Sequence, residues 1–135
     1  FNTYGPKQST DFVVSKFIRA ALANKDITIY GDGSQTRTFC FIDDNIDACL
    51  NALYQNKYVN DVINIGDDNE LPILKLAEKI IKMTNSKSKI INAPALKEGD
   101  MTRRQPDNSK MKELLGRKML PLDEGLKRVV ESGNF

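Results

Sequence analysis

Residues 27–50 read ITIYGDGSQTRTFCFIDDNIDACL, and the changes of pattern inside that stretch decide the fold. Ile27–Tyr30 is rich in β-branched and aromatic side chains, the mark of a short strand. Gly31 and Gly33 bracket Asp32, and glycine at both places allows a turn with positive φ. TFCFI, residues 38–42, is a second apolar run and predicts another short strand. Asp43 or Asp44 can then accept hydrogen bonds from the free N–H groups that open a helix. Ile46, Cys49, Leu50 and Leu53 follow at i, i+3, i+4 and i+7, the spacing of an amphipathic helix. Strand, turn, strand and helix in such quick succession predict an α/β chain.

The pattern continues on both sides. Upstream, Phe1–Tyr4 reads as the end of a buried strand, cut off by Gly5 and Pro6. KQSTD, residues 7–11, is a polar loop, and Val13, Phe17, Ile18, Ala21 and Leu22 fall on one helical stripe that Asn24 and Lys25 end. Downstream, VINIG (62–66) predicts a strand closed by Gly66, and Pro72 suits the first turn of a helix through Asn85. Leu76, Ala77, Ile80 and Ile81 give that helix its inward face. SKIIN (88–92) predicts a brief strand, and residues 93–106 a loop. Ser109 can cap a short helix that Gly116 ends in a left-handed turn. A last helix begins near Pro121 and carries Leu122, Leu126, Val129 and Val130. These strands are too few and too short to form a large doubly wound sheet, and no linker divides the chain, so residues 1–135 read as one lobe.

Composition narrows the chemistry. The 135 residues carry a net charge of +2, with 40% apolar and 28% charged residues, two cysteines and no histidine. Such a chain has a packed core. Near-balanced charge argues against a nucleic-acid surface, and the basic residues from Lys110 to Arg128 alternate with acids as on solvated helix faces. No run reaches the roughly 18 apolar residues of a membrane span. Without histidine, a Ser-His-Asp or Cys-His mechanism is excluded. Two cysteines alone do not complete a zinc shell, so no metal is expected, and Cys40 and Cys49 read as small buried hydrophobes of a reduced compartment.

Three polar clusters remain. Gln35 and Arg37 alternate, so an extended backbone turns both to one side. Gln35 can read a base or sugar edge, and the planar fork of Arg37 suits phosphate; the alternative is a solvated surface turn. Arg103 and Arg104 precede Pro106, either as an anion site or as a solvated basic pair. Asn2 stands where ligands bind beyond the strand ends of open α/β sheets, or else orders the turn that follows it. No G-x-G-x-x-G or related glycine fingerprint and no Tyr-x-x-x-Lys occurs, so these residues contain neither a dinucleotide cradle nor a lysine-tuned tyrosine base.

In this order, FNTYGP, ITIYGDGSQTRTFCFIDDNIDA, INIGDDNELPILKLAEKI and DMTRRQPDNSKMKELLG resemble the C-terminal half of an extended short-chain dehydrogenase/reductase, in the NAD-dependent nucleotide-sugar epimerase/dehydratase family. The resemblance runs through nearly the whole chain. Within the family it is nearest to UDP-glucuronate decarboxylases, through GDGSQTRTF and RRQPDNSKMKELLG. UDP-sugar 4-epimerases and dTDP-glucose 4,6-dehydratases share much of the frame, and a non-catalytic nucleotide-sugar-binding module is the alternative of another class. The resemblance implies a substrate-binding lobe with remnant strands of a Rossmann sheet, one ending at residues 1–6 and a further one at 62–66, and with the NAD-binding N-terminal part absent. By position it implies ligand contacts from Asn2, from Val13, Val14 and Lys16 at a helix start over the nucleotide, and from Ile29, Tyr30 and Gln35 near the base. Arg37 and Arg104 match two arginines that clamp a diphosphate, and Asn64 matches an asparagine of a sheet strand. Phe1 and Tyr4 are expected near the cofactor.

In such enzymes NAD oxidises the sugar at C4, and the keto group labilises its neighbours. A glucuronate then loses carbon dioxide before the hydride returns. The tyrosine, lysine and glycine fingerprint of that chemistry lie N-terminal to FNTYGP in the family. The resemblance therefore implies a cytoplasmic, NAD-dependent, homodimeric parent enzyme acting on a UDP-sugar, with no nucleic-acid or membrane partner. The 135 residues alone are expected to bind without catalysing and without holding NAD.

Overall fold

The alternation read from residues 27–54 is present in the computed structural model, which describes residues 1–95 and 101–135. Residues 96–100, and with them part of the loop expected over 93–106, lie outside the described residues. Strand β1 (Thr3–Tyr4) precedes helix α1 (Val13–Leu22), and β2 (Ile27–Tyr30), β3 (Thr36–Arg37) and β4 (Cys40–Phe41) lead into α2 (Ile42–Tyr54). Next come β5 (Leu71–Pro72), α3 (Ile73–Met83), β6 (Ile90–Ala93), β7 (Arg103–Arg104), α4 (Ser109–Leu115) and α5 (Leu122–Ser132). β1 and β4 pair in parallel, as do β2 and β6, while β3 lies between antiparallel β5 and parallel β7. The mixed α/β class is as expected.

The main core forms where α1, α3 and α5 close over β2 and the aromatic residues of the β1–β4 pair. Phe17, Ile18, Ile27, Ile29, Leu76, Ile80, Leu126 and Val129 are all buried in it. At roughly 1.5–3 kcal/mol for each fully buried large aliphatic side chain, this cluster is the principal source of stability. Two glycines make the packing possible. Gly33, at φ +76°, passes so close to α3 that a Cβ there would stand 3.0 Å from the Leu74 Cβ. A Cβ on Gly125 would collide with the Tyr4 hydroxyl, which donates to Leu122 O from among the core aromatics Phe39 and Phe41.

Several expectations are corrected. α2 begins one residue before the aspartates: Phe41 is its N-cap, with no side-chain cap bond, so Asp43 and Asp44 lie inside the first turn. Acidic side chains there favour the positive end of the helix dipole. Asp44 is buried and instead receives Arg117 Nη1 at 2.6 Å and the Leu120 N–H at 2.8 Å. Ile46, Cys49, Leu50 and Leu53 do form one face of α2, but that face is exposed; α2 turns Ala48 and Asp44 inward and packs on α4. Cys49 is thus no buried hydrophobe, whereas Cys40 is, and burial pushes its thiol pKa up to about 12.

TFCFI contributes only Cys40–Phe41 to a strand. Residues 62–66 carry no strand among the described residues, although Phe1 N donates to Ile65 O at 2.7 Å. Leu22 is exposed, since α1 ends there. α4 is capped at Asn108, and Asp107 Oδ1 accepts from Ser109 N at 3.0 Å and Ser109 Oγ at 2.6 Å. Gly116 does end α4 in the left-handed conformation, at φ +59°.

Candidate functional site

The site is organised by the alternation of side chains along two short strands. Thr36 pairs with Arg103, and Arg37 with Arg104, in parallel register. Register partners on parallel strands share a face, so the adjacent arginines take opposite sides. Arg103 Nε donates to Glu70 Oε1 at 2.7 Å, and Thr36 Oγ1 donates to the same oxygen at 3.1 Å. The Arg103 guanidinium holds the Glu70 carboxyl below its ordinary pKa, and Glu70 raises that of Arg103. Arg37 and Arg104 take the other side and border two cavities that meet at Asn2 and Val13.

The first cavity is about 250 Å³ and is lined, among the described residues, by Asn2, Asp11, Val13, Lys16, Phe17, Thr28, Ile29, Tyr30, Gln35, Arg37 and Ile73. Lys16 Nζ lies 5.6 Å from the Tyr30 ring centroid, a cation–π distance that orients both groups. Gln35 Nε2 donates to Tyr30 O at 3.0 Å, which closes the glycine turn into a rigid loop. Arg37 Nη1 is held by Thr36 O at 2.8 Å and Met101 O at 2.6 Å, so its fork is fixed by backbone. The second cavity, about 360 Å³, is lined by Asn2, Thr3, Tyr4, Gln8, Phe12, Val13, Val14, Phe39 and Arg104. Arg104 stands 5.6 Å over the Phe1 ring.

Three features make this groove suited to an anionic, hydroxyl-rich ligand. Asn2 Nδ2 is buried at the junction and has no hydrogen-bond partner among the described residues; a donor left so costs about 1–3 kcal/mol unless a ligand accepts its bond. Asn2 also takes a left-handed backbone, at φ +43°, and stands before β1 rather than at a strand end. The N-terminus of α1 opens here, with no side-chain cap and no acidic residue in its first turn, so its partial positive charge is available to an anion. Arg37, Arg104 and Lys16 complete a cationic rim, and planar forks suit phosphate oxygens.

The positions singled out in the sequence mostly converge. Asn2, Val13, Lys16, Ile29, Tyr30, Gln35 and Arg37 line the first cavity, and Val14 and Arg104 the second. Asn64 does not join them: it lines neither cavity, and its amide donates to Asp107 O at 3.2 Å. The expected loop at Arg103–Arg104 is a strand, which is what separates the two arginines. Tyr4 touches the second cavity from the core, and its hydroxyl is held by Leu122 O; burial raises its pKa above the ordinary value. Gln8 and Phe12 also line the second cavity, and sequence reasoning did not single them out. Gln8 Nε2 donates to Thr3 O at 2.6 Å, and Gln8 Oε1 accepts from Ser15 Oγ at 3.1 Å, a tertiary network with no motif to announce it.

The family model described as the NAD dependent epimerase/dehydratase family matches residues 1–66, the segment that carries Asn2, α1 and the Gln35–Arg37 strand. A UDP-N-acetyl-alpha-D-glucosaminuronate decarboxylase of Bacillus cytotoxicus is 35% identical over 97% of this chain. The chain carries the pattern of the NAD dependent epimerase/dehydratase family over residues 1–66, and nearly all of it is similar to this decarboxylase. It spans 43% of that relative's length. UDP-glucuronic acid decarboxylase 1 of Danio rerio is 36% identical over 97% of the chain and 31% of its own length. Among solved structures of the family, a UDP-glucuronic acid 4-epimerase of Bacillus cereus in complex with UDP-glucuronic acid and NAD superposes with a TM-score of 0.87 at 32% identity, covering 97% of this chain and 42% of the other. Solved structures similar to this chain hold NAD. The positive-φ glycines of the described residues end helices (Gly116, Gly133) or close the 31–33 turn before a strand. No group of three potential metal ligands forms among the described residues, and none of their helices is long and apolar enough to cross a membrane.

Proposed function

We propose that this chain is the sugar-nucleotide-holding part of an NAD-dependent nucleotide-sugar enzyme, and that the reaction it serves is decarboxylation of UDP-glucuronate to UDP-xylose. The observation that carries the reading is the junction of the two cavities. There Asn2, whose buried Nδ2 has no hydrogen-bond partner among the described residues, lines both the cavity that Arg37 borders and the cavity that Arg104 borders. In this reading the base sits against Tyr30 and Gln35. The diphosphate meets Arg37, Arg104 and the open end of α1, and the sugar reaches Asn2. Decarboxylases among the relatives favour a uronate substrate. An epimerase with UDP-glucuronic acid among the neighbours supports the same sugar with a different outcome, so 4-epimerisation is the second reading, alongside dTDP-glucose 4,6-dehydration in the same frame. These residues bind and orient; the hydride chemistry that NAD supplies is not theirs to perform.

Calorimetric titration with UDP and UDP-glucuronate tests the binding role. Both bind weakly, and Arg104→Ala abolishes binding while circular dichroism stays unchanged. Unchanged affinity in both Arg37→Ala and Arg104→Ala removes the diphosphate clamp. Mass analysis of products from a longer polypeptide containing this chain separates the reactions: loss of carbon dioxide means decarboxylation, whereas an isomer of unchanged mass means epimerisation.

A further inference from the structure

We propose that Phe12 determines specificity in this groove, its ring forming the wall on which the C–H face of the ligand's hexose packs. The inference rests on the sugar-nucleotide reading above. Phe12 precedes α1 in extended conformation, at φ −88° and ψ 144°, and it is 58% exposed. It borders the second cavity together with Asn2, Gln8 and Arg104. An aromatic ring so placed gains from any apolar surface brought against it.

Its neighbours say which surface. Asn2 offers an amide donor with no partner among the described residues, Gln8 a fixed polar edge and Arg104 a positive charge. A hexopyranose has hydroxyls around its edge and C–H groups on its faces, so it answers amide and ring together. The guanidinium holds the adjoining diphosphate, which leaves the hexose against the ring. The base has its own aromatic partner in the first cavity, Tyr30. The wall is also preorganised. The Phe12 N–H donates to Ser9 O at 3.2 Å, Lys16 N–H donates to Phe12 O at 2.9 Å, and Gln8 is tied to Thr3 and Ser15. A backbone held in this way presents the ring at the cavity edge, which lowers the cost of ordering it on binding.

The test titrates the wild-type chain, Phe12→Ala, Phe12→Leu and Phe12→Tyr with UDP and with UDP-glucuronate, in parallel with proton NMR of the bound ligand. Phe12→Ala is expected to weaken UDP-glucuronate by about 3- to 10-fold, the range that corresponds to a ring contact, and to leave UDP unchanged. Phe12→Leu gives a smaller loss and Phe12→Tyr none. The sugar-ring protons shift upfield in the wild type and lose that shift in Phe12→Ala. Unchanged UDP-glucuronate affinity in Phe12→Ala overturns the role of Phe12 and leaves the groove reading standing. So does an equal loss for UDP, or an upfield shift confined to the uracil protons. A wild-type chain that binds neither ligand overturns both readings.

Discussion

Helices α2 and α3 are 13 and 11 residues long, and each carries an apolar stripe at helical spacing. α3 buries its stripe: Leu76, Ala77 and Ile80 are enclosed by α1, α5 and β2. α2 leaves Ile46, Leu50 and Leu53 in solvent, Leu53 at 72% exposure, and packs its other side on α4 through Ala48 and the Asn51 amide, which donates to Leu114 O at 2.9 Å. Periodicity shows which side of a helix gains from burial. Whether burial happens depends on a neighbour being there, and periodicity carries no information about that.

Truncation on each stripe separates the two helices most strongly. Leu76→Ala is expected to cost about 2–5 kcal/mol, from lost burial and the cavity left behind. Leu53→Ala should stay within about 0.5 kcal/mol, as an exposed substitution does. Urea denaturation of both variants decides it, and equal losses would mean that the outer face of α2 is covered in solution. The two cysteines give the next largest contrast. Cys49 on the open face should react with a thiol reagent in the native state, whereas Cys40, buried and with its thiol pushed up to about 12, should react only after unfolding; labelling followed by peptide mass mapping reads this directly.

The smallest effect lies at the rim of the site. Glu70 is held below its ordinary value of 4.5 by Arg103 first, then Thr36. A carboxylate depressed in the folded state stabilises above its unfolded pKa and loses that contribution as pH falls through the folded one. Glu70→Gln should therefore lower the melting temperature slightly at neutral pH, and the difference should vanish well below the ordinary value of 4.5. A difference that persists in acid would assign the stabilisation to packing rather than charge.

Much of the groove was legible residue by residue. Gln35 and Arg37 alternate, and a β-strand turns alternate residues to one side, so their convergence follows from local geometry. Gly31 and Gly33 announced a positive-φ turn, and both adopt one. The ordered set of motifs identified the family. Other features were not legible because they depend on contacts between distant segments. Arg103 and Arg104 are alike in residue type, and only the family resemblance singled out Arg104; pairing with β3 turns Arg103 to Glu70 and Arg104 to the groove. Asn64 looked like a ligand residue by position, but its amide is engaged by Asp107 O. The run at 62–66 has strand composition but carries no strand among the described residues.

By itself, then, the amino-acid sequence determined what is encoded over a few residues: the helical stripes, the glycine turn, the left-handed end at Gly116 and the alternation that turns Gln35 and Arg37 together. Backbone dihedrals and side-chain periodicity are local quantities, and residue types set them directly. The tertiary structure alone decided which stripe is buried, that Arg103 is tied to Glu70, and that Asn2 Nδ2 has no hydrogen-bond partner among the described residues where two cavities meet. Each of those outcomes is a relation between segments far apart in the chain, and burial and hydrogen bonding exist only once both partners are in place.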